Sequence, residues 1–506
     1  MKKKVMISLM AATLLVSNAS AASMYDRLEA MEKEINKLKA EIADLKAKES
    51  ASMKAENKKI DVKETPKNDK EDLSEKLADI QESIDDLHKK TGGNHLKFNV
   101  DLRSAVENIQ YKMADGSTNN NDAFFTNRLW LGMNWAATDN LSFTGQLAYN
   151  KAYGSRSGAS TNNSFENFDW ITNENAYDDT IRVRSAYFFY KNNTFLGTDI
   201  PWTFSLGRRP STNGHLVNLR DDDLAASPMG HTINVEFDGL SSKFDLERMT
   251  GVSGMYVKFC AGRGGTNAQP KFSGAPYSKD TNSINDIDLA GLIFVPYDDG
   301  QYSIGTQFYY ANNLIDENNA SDPSAGFKNV GGLYSGTVNF VVNGIGDGIS
   351  DFLDYTLFFI SGAVSQTNPK SGQTMLGSPD AKTGHSEWIG VQFPSLISNS
   401  GRWGLEYNHG SKYWRSITYA EDTNIGSKLA ARGNAYEAYF TEPLIRNILS
   451  LQLRYTYIDY DYSGSNGFFG SETGTPMTMS EAVANGHGSE VVDKAQDIRF
   501  YLRYRY

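Results

Sequence analysis

Hydrophobic and polar positions alternate strictly along the end of this chain. From Ile498 to Tyr506, Ile498, Phe500, Leu502, Tyr504 and Tyr506 share one face, and Arg499, Tyr501, Arg503 and Arg505 share the other. A period of two is that of a β-strand. An apolar, aromatic-ended stripe opposite a row of guanidinium groups suits a strand with lipid on one side and water on the other. The same alternation recurs upstream, and it predicts strands near 96–108, 124–137, 140–150, 180–191, 202–209, 231–237, 251–262, 286–296, 300–311, 331–342, 354–365, 385–393, 401–409, 434–441, 447–460 and 494–506. The expected fold is an all-β transmembrane antiparallel barrel over 92–506, with about 16 strands within a range of roughly 14 to 18.

The connections test that count. Thr138-Asp139-Asn140, Asp298-Asp299-Gly300 and Glu442 to Asn447 predict short turns. Long polar stretches fall in the alternate gaps, at 109–123, 151–179, 210–230, 263–285, 312–330, 366–384, 410–433 and 461–493. This parity puts both ends of the barrel on the short-turn side, the periplasm. The span 238–250 reads equally as a long turn, an extended strand or a short helix. Leu129, Leu131, Met133 and Trp135 form one expected lipid-facing stripe, and Leu449 to Tyr457 another; Trp135, Tyr149, Trp202 and Tyr457 are candidate girdle residues at the headgroup boundary.

The period changes upstream of the barrel. Leu28, Met31, Ile35, Leu38, Ile42 and Leu45 are spaced by three and four residues among charged ones, and Leu73, Leu77, Ile80, Ile84 and Leu87 repeat the seam after a Lys-rich break around Pro66. That spacing predicts a periplasmic α-helical coiled coil over 22–91, or an amphipathic helix folded on the barrel mouth. Oligomerisation through it is expected. Ile at a with Leu at d leans towards two strands, whereas porins commonly form trimers, and the trimer is preferred here. Still earlier, Lys2, Lys3 and Lys4 precede the apolar stretch Val5 to Val16 and the small residues Ala19-Ser20-Ala21, so residues 1–21 read as a secretory signal peptide.

Composition narrows the function. The chain carries 61 acidic against 50 basic residues, a formal charge of −11, which argues against a nucleic-acid partner. With 44 Gly, 27 Tyr and 26 Phe, it fits strands with one wet face. The single cysteine, Cys260, excludes an internal disulfide and reads as a small packed residue. His88, His95, His215, His231, His385, His409 and His487 show no metal-ligand spacing, and there is no Gly-x-Ser-x-Gly elbow. No enzyme activity and no cofactor is therefore expected. The acidic clusters Asp178-Asp179, Asp221 to Asp223 and Asp298-Asp299 lack a Ca²⁺ ligand-loop pattern, so no metal is assigned.

A barrel of about sixteen strands is wide enough for an aqueous channel. The expected function is passive diffusion of ions or small hydrophilic solutes through a porin-like channel. The candidate constriction lies in the third long loop, where Arg208 and Arg209 lead through His215 and Arg220 to Asp221, Asp222 and Asp223. By analogy with general porins, those acids would face a basic wall of Arg182, Arg184, Arg208 and Arg209. The competing reading makes the triple Asp a solvated external turn and pairs the arginines with lumenal carboxylates. Lumenal arginines favour anions and net acidity favours cations, so the sign of selectivity stays open. A structural anchor or adhesin tethered through the coil is the alternative function.

Four short stretches carry a resemblance: Gly207-Arg208-Arg209-Pro210, Lys428-Leu-Ala-Ala-Arg-Gly433, Tyr436-Glu437-Ala438-Tyr439 and the aromatic run Leu453 to Tyr462. They resemble a family of bacterial outer-membrane proteins labelled domain of unknown function 3373. The resemblance implies a porin-like barrel with a coiled-coil N-terminus and supplies no substrate or catalytic residues. The alternating aromatics ending at Tyr506 also resemble the C-terminal signal read by the barrel-assembly machinery, which would be a partner alongside outer-membrane lipid.

Overall fold

The computed structural model describes residues 96–154, 180–268, 274–280, 284–346, 348–418, 421 and 423–506. The chain divides into two units, Met1–Asp85 and Asp86–Tyr506, and every described residue belongs to the second. The expected signal peptide, the coiled coil and most of the stretch 151–179 lie outside the described residues.

Among the described residues, sixteen strands follow one another around a single wall. They are β1 (Lys97–Met113), β2 (Thr118–Ala136), β3 (Leu141–Ala152), β4 (Arg182–Asn192), β5 (Trp202–Ser211), β6 (Ile233–Asp245), β7 (Tyr256–Gly265), β8 (Ile287–Asp298), β9 (Tyr302–Glu317), β10 (Phe327–Asn343), β11 (Leu357–Pro369), β12 (Thr383–Pro394), β13 (Arg402–Gly410), β14 (Gly433–Ile445), β15 (Leu449–Tyr460) and β16 (Val492–Arg505). Each pairs antiparallel with the next. β16 then pairs antiparallel with β1, with Leu102 opposite Tyr504 and Ala105 opposite Tyr501, which closes the barrel and leaves no edge strand.

The two faces of the wall have opposite chemistry. Outward positions carry exposed apolar side chains around the ring, among them Leu102, Leu206, Leu240, Phe259, Phe308, Val338, Ile360, Ile389, Leu405, Leu453 and Phe500. A soluble protein would not leave so continuous a band in water. Aromatic contacts mark both of its rims. On the short-turn side Trp202 meets Tyr190 at 5.5 Å and Phe195 at 5.3 Å, and Trp403 meets Phe440 at 4.8 Å. On the loop side Tyr310 meets Tyr334 at 4.5 Å and Tyr407 meets Tyr436 at 5.2 Å. Two aromatic rims around an apolar band are the surface a bilayer selects. No described helix is long and apolar enough to cross a membrane.

Two expectations need adjusting. The span 238–250 continues β6 as far as Asp245 and then forms one helical turn, Glu247–Thr250. Ser242 takes an outward position between Leu240 and Phe244, which hid the alternation. The stretches 109–123 and 312–330 are mostly strand, because β1 and β2 extend to Met113 and from Thr118, and β9 and β10 extend to Glu317 and from Phe327. Beyond the lipid the β2 side is wet, so exposed Asn119, Asn120 and Asn121 keep the ladder going opposite Tyr111, Gln110 and Ile109 without an apolar stripe to announce it.

Candidate functional site in the barrel lumen

The third long connection, residues 212–232 (L3), leaves the wall after β5 and enters the lumen. Gly214–His215 pairs in parallel with Ala226–Met229, and this arch encloses a single 3-10 turn, Val217–Asp221. Asp222 ends the turn in a left-handed conformation at φ 52°, which short polar side chains tolerate. The arch carries four of the predicted site residues to the wall opposite its own strands. Buried Arg220 approaches Glu437 of β14 at 3.4 Å and also donates to the carbonyl of Glu421. Asp221 accepts the Tyr501 hydroxyl of β16 at 2.6 Å. Asp222 meets Arg402 of β13 at 3.3 Å, and Asp223 meets both Arg503 and Arg505 at 2.9 Å. Burial alone would raise the Asp221 carboxyl, but Arg220, Arg454, Arg503 and Arg103 hold it well below the usual carboxylate range.

A second loop, residues 411–432 (L7), packs beside the first. Its two-residue strand Ile417–Thr418 runs parallel to Ile233–Asn234 at the start of β6. Lys428 reaches Glu406 at 2.6 Å and Glu437 at 2.5 Å. Glu437 thus joins L3, L7 and the wall, since Arg454 also stands 4.0 Å away and Thr456 donates to it at 2.9 Å. Arg432 donates to the carbonyls of Trp414, Ser463 and Gly474, and Arg415 to those of Ser416, Ser465 and Gly467, which stitches L7 to residues 461–491 (L8). The motif Lys428 to Gly433 therefore supplies two of the anchors that seat L7, Lys428 and Arg432, and Arg415 supplies another. Glu421 is fully enclosed: burial pushes its carboxyl up to about 7 despite Lys428 and the Ser427 hydroxyl.

His231 ends L3. Its ring nitrogens lie 2.8 Å from Ser361 Oγ and 2.9 Å from Ser386 Oγ, between the rings of Trp388 and Trp414. Burial drives it down to about 3, so the ring is neutral at physiological pH. A histidine between two serines invites comparison with a hydrolase, but all three are 1 % exposed, which leaves no room for a substrate.

The remaining predicted residues sit on the β4–β6 wall, away from the triple Asp. Arg184 is buried over the Trp130 ring at 4.1 Å, bonds to Gln146 and Thr212, and stands 3.6 Å from Glu236. Arg208 joins Glu236 at 3.1 Å and Asp238 at 3.8 Å. Arg209 donates to the Ser241 hydroxyl and lies over the Tyr187 ring at 5.0 Å. Arg182 is exposed at the loop-side end of β4. The acids and the predicted basic wall are thus two separate clusters. The cations that meet Asp222 and Asp223 come from β13 and β16. Arg503 and Arg505 were visible as a polar row in the last strand, but nothing local links them to residues some 280 positions earlier. Glu236, Lys243 and Lys258 were not singled out. Lys243 and Lys258 show only as charges at inward strand positions.

The lumen is unevenly filled. Against β9–β16 the inward side chains are sealed under the loops: Tyr309, Phe359, Trp388, Tyr439, Gln452 and Arg454 are nearly inaccessible. Along β3–β7, the inward residues Gln146, Tyr187, Lys191, Lys243, Lys258 and Cys260 keep partial or full exposure.

Residues 118–506 match the family model "Protein of unknown function (DUF3373)". The chain belongs to this family. The match begins at β2 and runs to Tyr506, so it covers the loops that fill the lumen and all but the first strand. Among curated proteins no relative matches. Among solved structures, in-vitro folded OmpT of Vibrio cholerae in its trimer form is similar at 11% identity over 81% of this chain and 99% of that one, with a TM-score of 0.43. OmpF of Salmonella typhi in complex with daunomycin is similar at 12% identity over 82% and 98%, with a TM-score of 0.44. At such scores the superpositions are loose.

Proposed function

We propose that the chain is an outer-membrane channel for passive diffusion of small hydrophilic solutes. One observation carries the reading: polar and charged side chains on the inner wall of β3–β7 stay in contact with solvent, whereas the opposite wall is sealed by L3 and L7. A barrel meant only as an anchor has no use for a wet, charged inner wall, since filling that side with apolar side chains would add buried area. L3 narrows the lumen from one side, and the β3–β7 wall bounds the passage on the other. The apolar band and the two aromatic rims support placement in the outer membrane, with outer-membrane lipid as the surrounding partner. Assembly through the heptads of residues 22–91 into a homo-oligomer, a trimer by preference, belongs to the same proposal.

A second reading keeps the barrel shut and makes it an anchor. It is favoured by the near-complete burial of L7, where Trp414, Arg415, Leu429 and Arg432 are all inaccessible. Planar-bilayer conductance of the purified full chain separates the two. Steady, repeated steps are expected from folded protein. Silence from protein whose folding is verified by heat-modifiable mobility would discard the channel in favour of the anchor.

A further inference from the structure

The strands along the open side of the lumen are rich in basic residues. On β4–β7 the sequence places eight basic residues, Arg182, Arg184, Lys191, Arg208, Arg209, Lys243, Lys258 and Arg263, against three acids, Glu236, Asp238 and Asp245. Glu236 and Asp238 are engaged by Arg184 and Arg208, and Arg263 is engaged by Asp286 and Asp288 of the neighbouring segment. Asp245 stands at the short-turn end, where it accepts the Glu247 amide.

Register puts the inward lysines at one level. Lys191 of β4 lies opposite Thr203 of β5, Thr203 opposite Lys243 of β6, and Lys243 directly opposite Lys258 of β7. Tyr190, Phe244 and Phe259, each next to one of these lysines, take outward positions, so the ammonium groups face the lumen. Arg209 lies within electrostatic reach of Lys258 from the adjoining level. The Lys243 ammonium rests 4.0 Å over the Tyr256 ring, which eases its charge without cancelling it. Like charges directly opposite one another weaken a strand pair. An anion between them turns that repulsion into attraction. Across the lumen, Asp221, Asp222 and Asp223 are held by Arg220, Arg402, Arg503, Arg505 and Tyr501, so the acids of L3 do not offset this arc.

We infer that the arc Lys191, Arg209, Lys243 and Lys258 is an anion-binding path, and that the passage selects small inorganic or carboxylate anions over cations. This rests on the channel reading for its transport consequence, but not for the binding of anions at the arc. Two measurements on the full chain keep them apart. In a KCl gradient, the reversal potential of single channels is expected to show chloride preference. The double variant Lys243→Gln, Lys258→Gln should lower the chloride-to-potassium ratio severalfold per charge, because a unit charge about 7 Å away in water changes the occupancy of each ion by a factor of roughly three, in opposite senses. An unchanged ratio would overturn the inference.

Cys260 faces the same space two residues from Lys258 and opposite Ser241, so it reports on the arc without ion flow. Labelled with a sulfonate-bearing and a trimethylammonium-bearing methanethiosulfonate, each rate scaled to that of a free thiol, Cys260 should favour the anionic reagent, and the double variant should lose the preference. Equal scaled rates, or no reaction with either reagent, would overturn the proposal. A silent bilayer together with charge-dependent labelling would remove the channel and leave the anion arc standing.

Discussion

Lys428 of L7 places its ammonium 2.5 Å from the carboxylate of Glu437 on β14, and that carboxylate is at the same time 3.4 Å from Arg220 of L3. One buried acid therefore holds two inward-folded loops that are far apart in the chain. Replacing it by Glu437→Gln keeps the shape and removes the charge, leaving Lys428, Arg220 and Arg454 facing one another. Breaking a buried ionic cluster from one side costs roughly 3–5 kcal/mol. A lowered urea midpoint and larger, noisier conductance steps are expected, because L3 and L7 lose their common tie. Wild-type steps with a wild-type midpoint would show that the loops are seated by packing alone.

The tip of L3 offers an internal contrast. Asp223 meets Arg503 and Arg505, with side-chain exposure of 14% for Asp223 and 3% for Arg503. Asp222 meets Arg402 with exposures of 65% and 50%. Charge-assisted hydrogen bonds in partly buried sites are worth about 1.5–3 kcal/mol, whereas exposed pairs give about 0–1 kcal/mol. Asp223→Asn should therefore speed amide exchange across residues 217–225 markedly, and Asp222→Asn should barely change it. Equal effects would remove burial as the reason L3 is held.

Stability should depend on pH through Glu421. Burial raises its folded pKa from 4.5 to about 7, so the native state keeps a proton that the unfolded chain has released. The contribution is fully present below pH 4.5 and is lost as pH rises through about 7. Converted by linkage, the shift amounts to roughly 3 kcal/mol as an upper figure. Urea midpoints measured at pH 5 and pH 9 should fall between the two for the wild type, and Glu421→Gln should shrink that fall. An unchanged pH slope in the variant would assign the dependence to other groups.

The outward face can be tested directly. Val338 of β10 is 52% exposed, opposite Gly362 of β11, in the middle of the apolar band. Arginine on the lipid face near the midplane costs about 2–4 kcal/mol. Val338→Arg should lower the folding free energy into vesicles by that order, whereas a lysine at Tyr187, which faces the wet lumen, should cost far less. Equal costs at both positions would mean that the outer surface is not in lipid.

Much of the barrel was legible in the chain because its rule is local. A strand with lipid on one side and water on the other must alternate every second residue, so sixteen alternating runs separated by turn signals give the strand count, the facing of Leu453 and Phe500, and the inward row Arg499, Arg503 and Arg505. Reading failed where that rule relaxes, as at Ser242 inside β6 and at the Asn-rich extension of β2 beyond the lipid.

The lumen was decided by closure. Arg220 finds Glu437 across 217 positions and Arg503 finds Asp223 across 280, and neither pair has a spacing or a motif to mark it. The sequence determined which residues could line a channel, because inward and outward are set by the pleat of each strand. Which acids the arginines of β16 would meet was decided only when β16 paired with β1 and the L3 acids reached it across the lumen. Closing the ring sets distant strands face to face across the lumen, and the short range of ion pairs then selects among them.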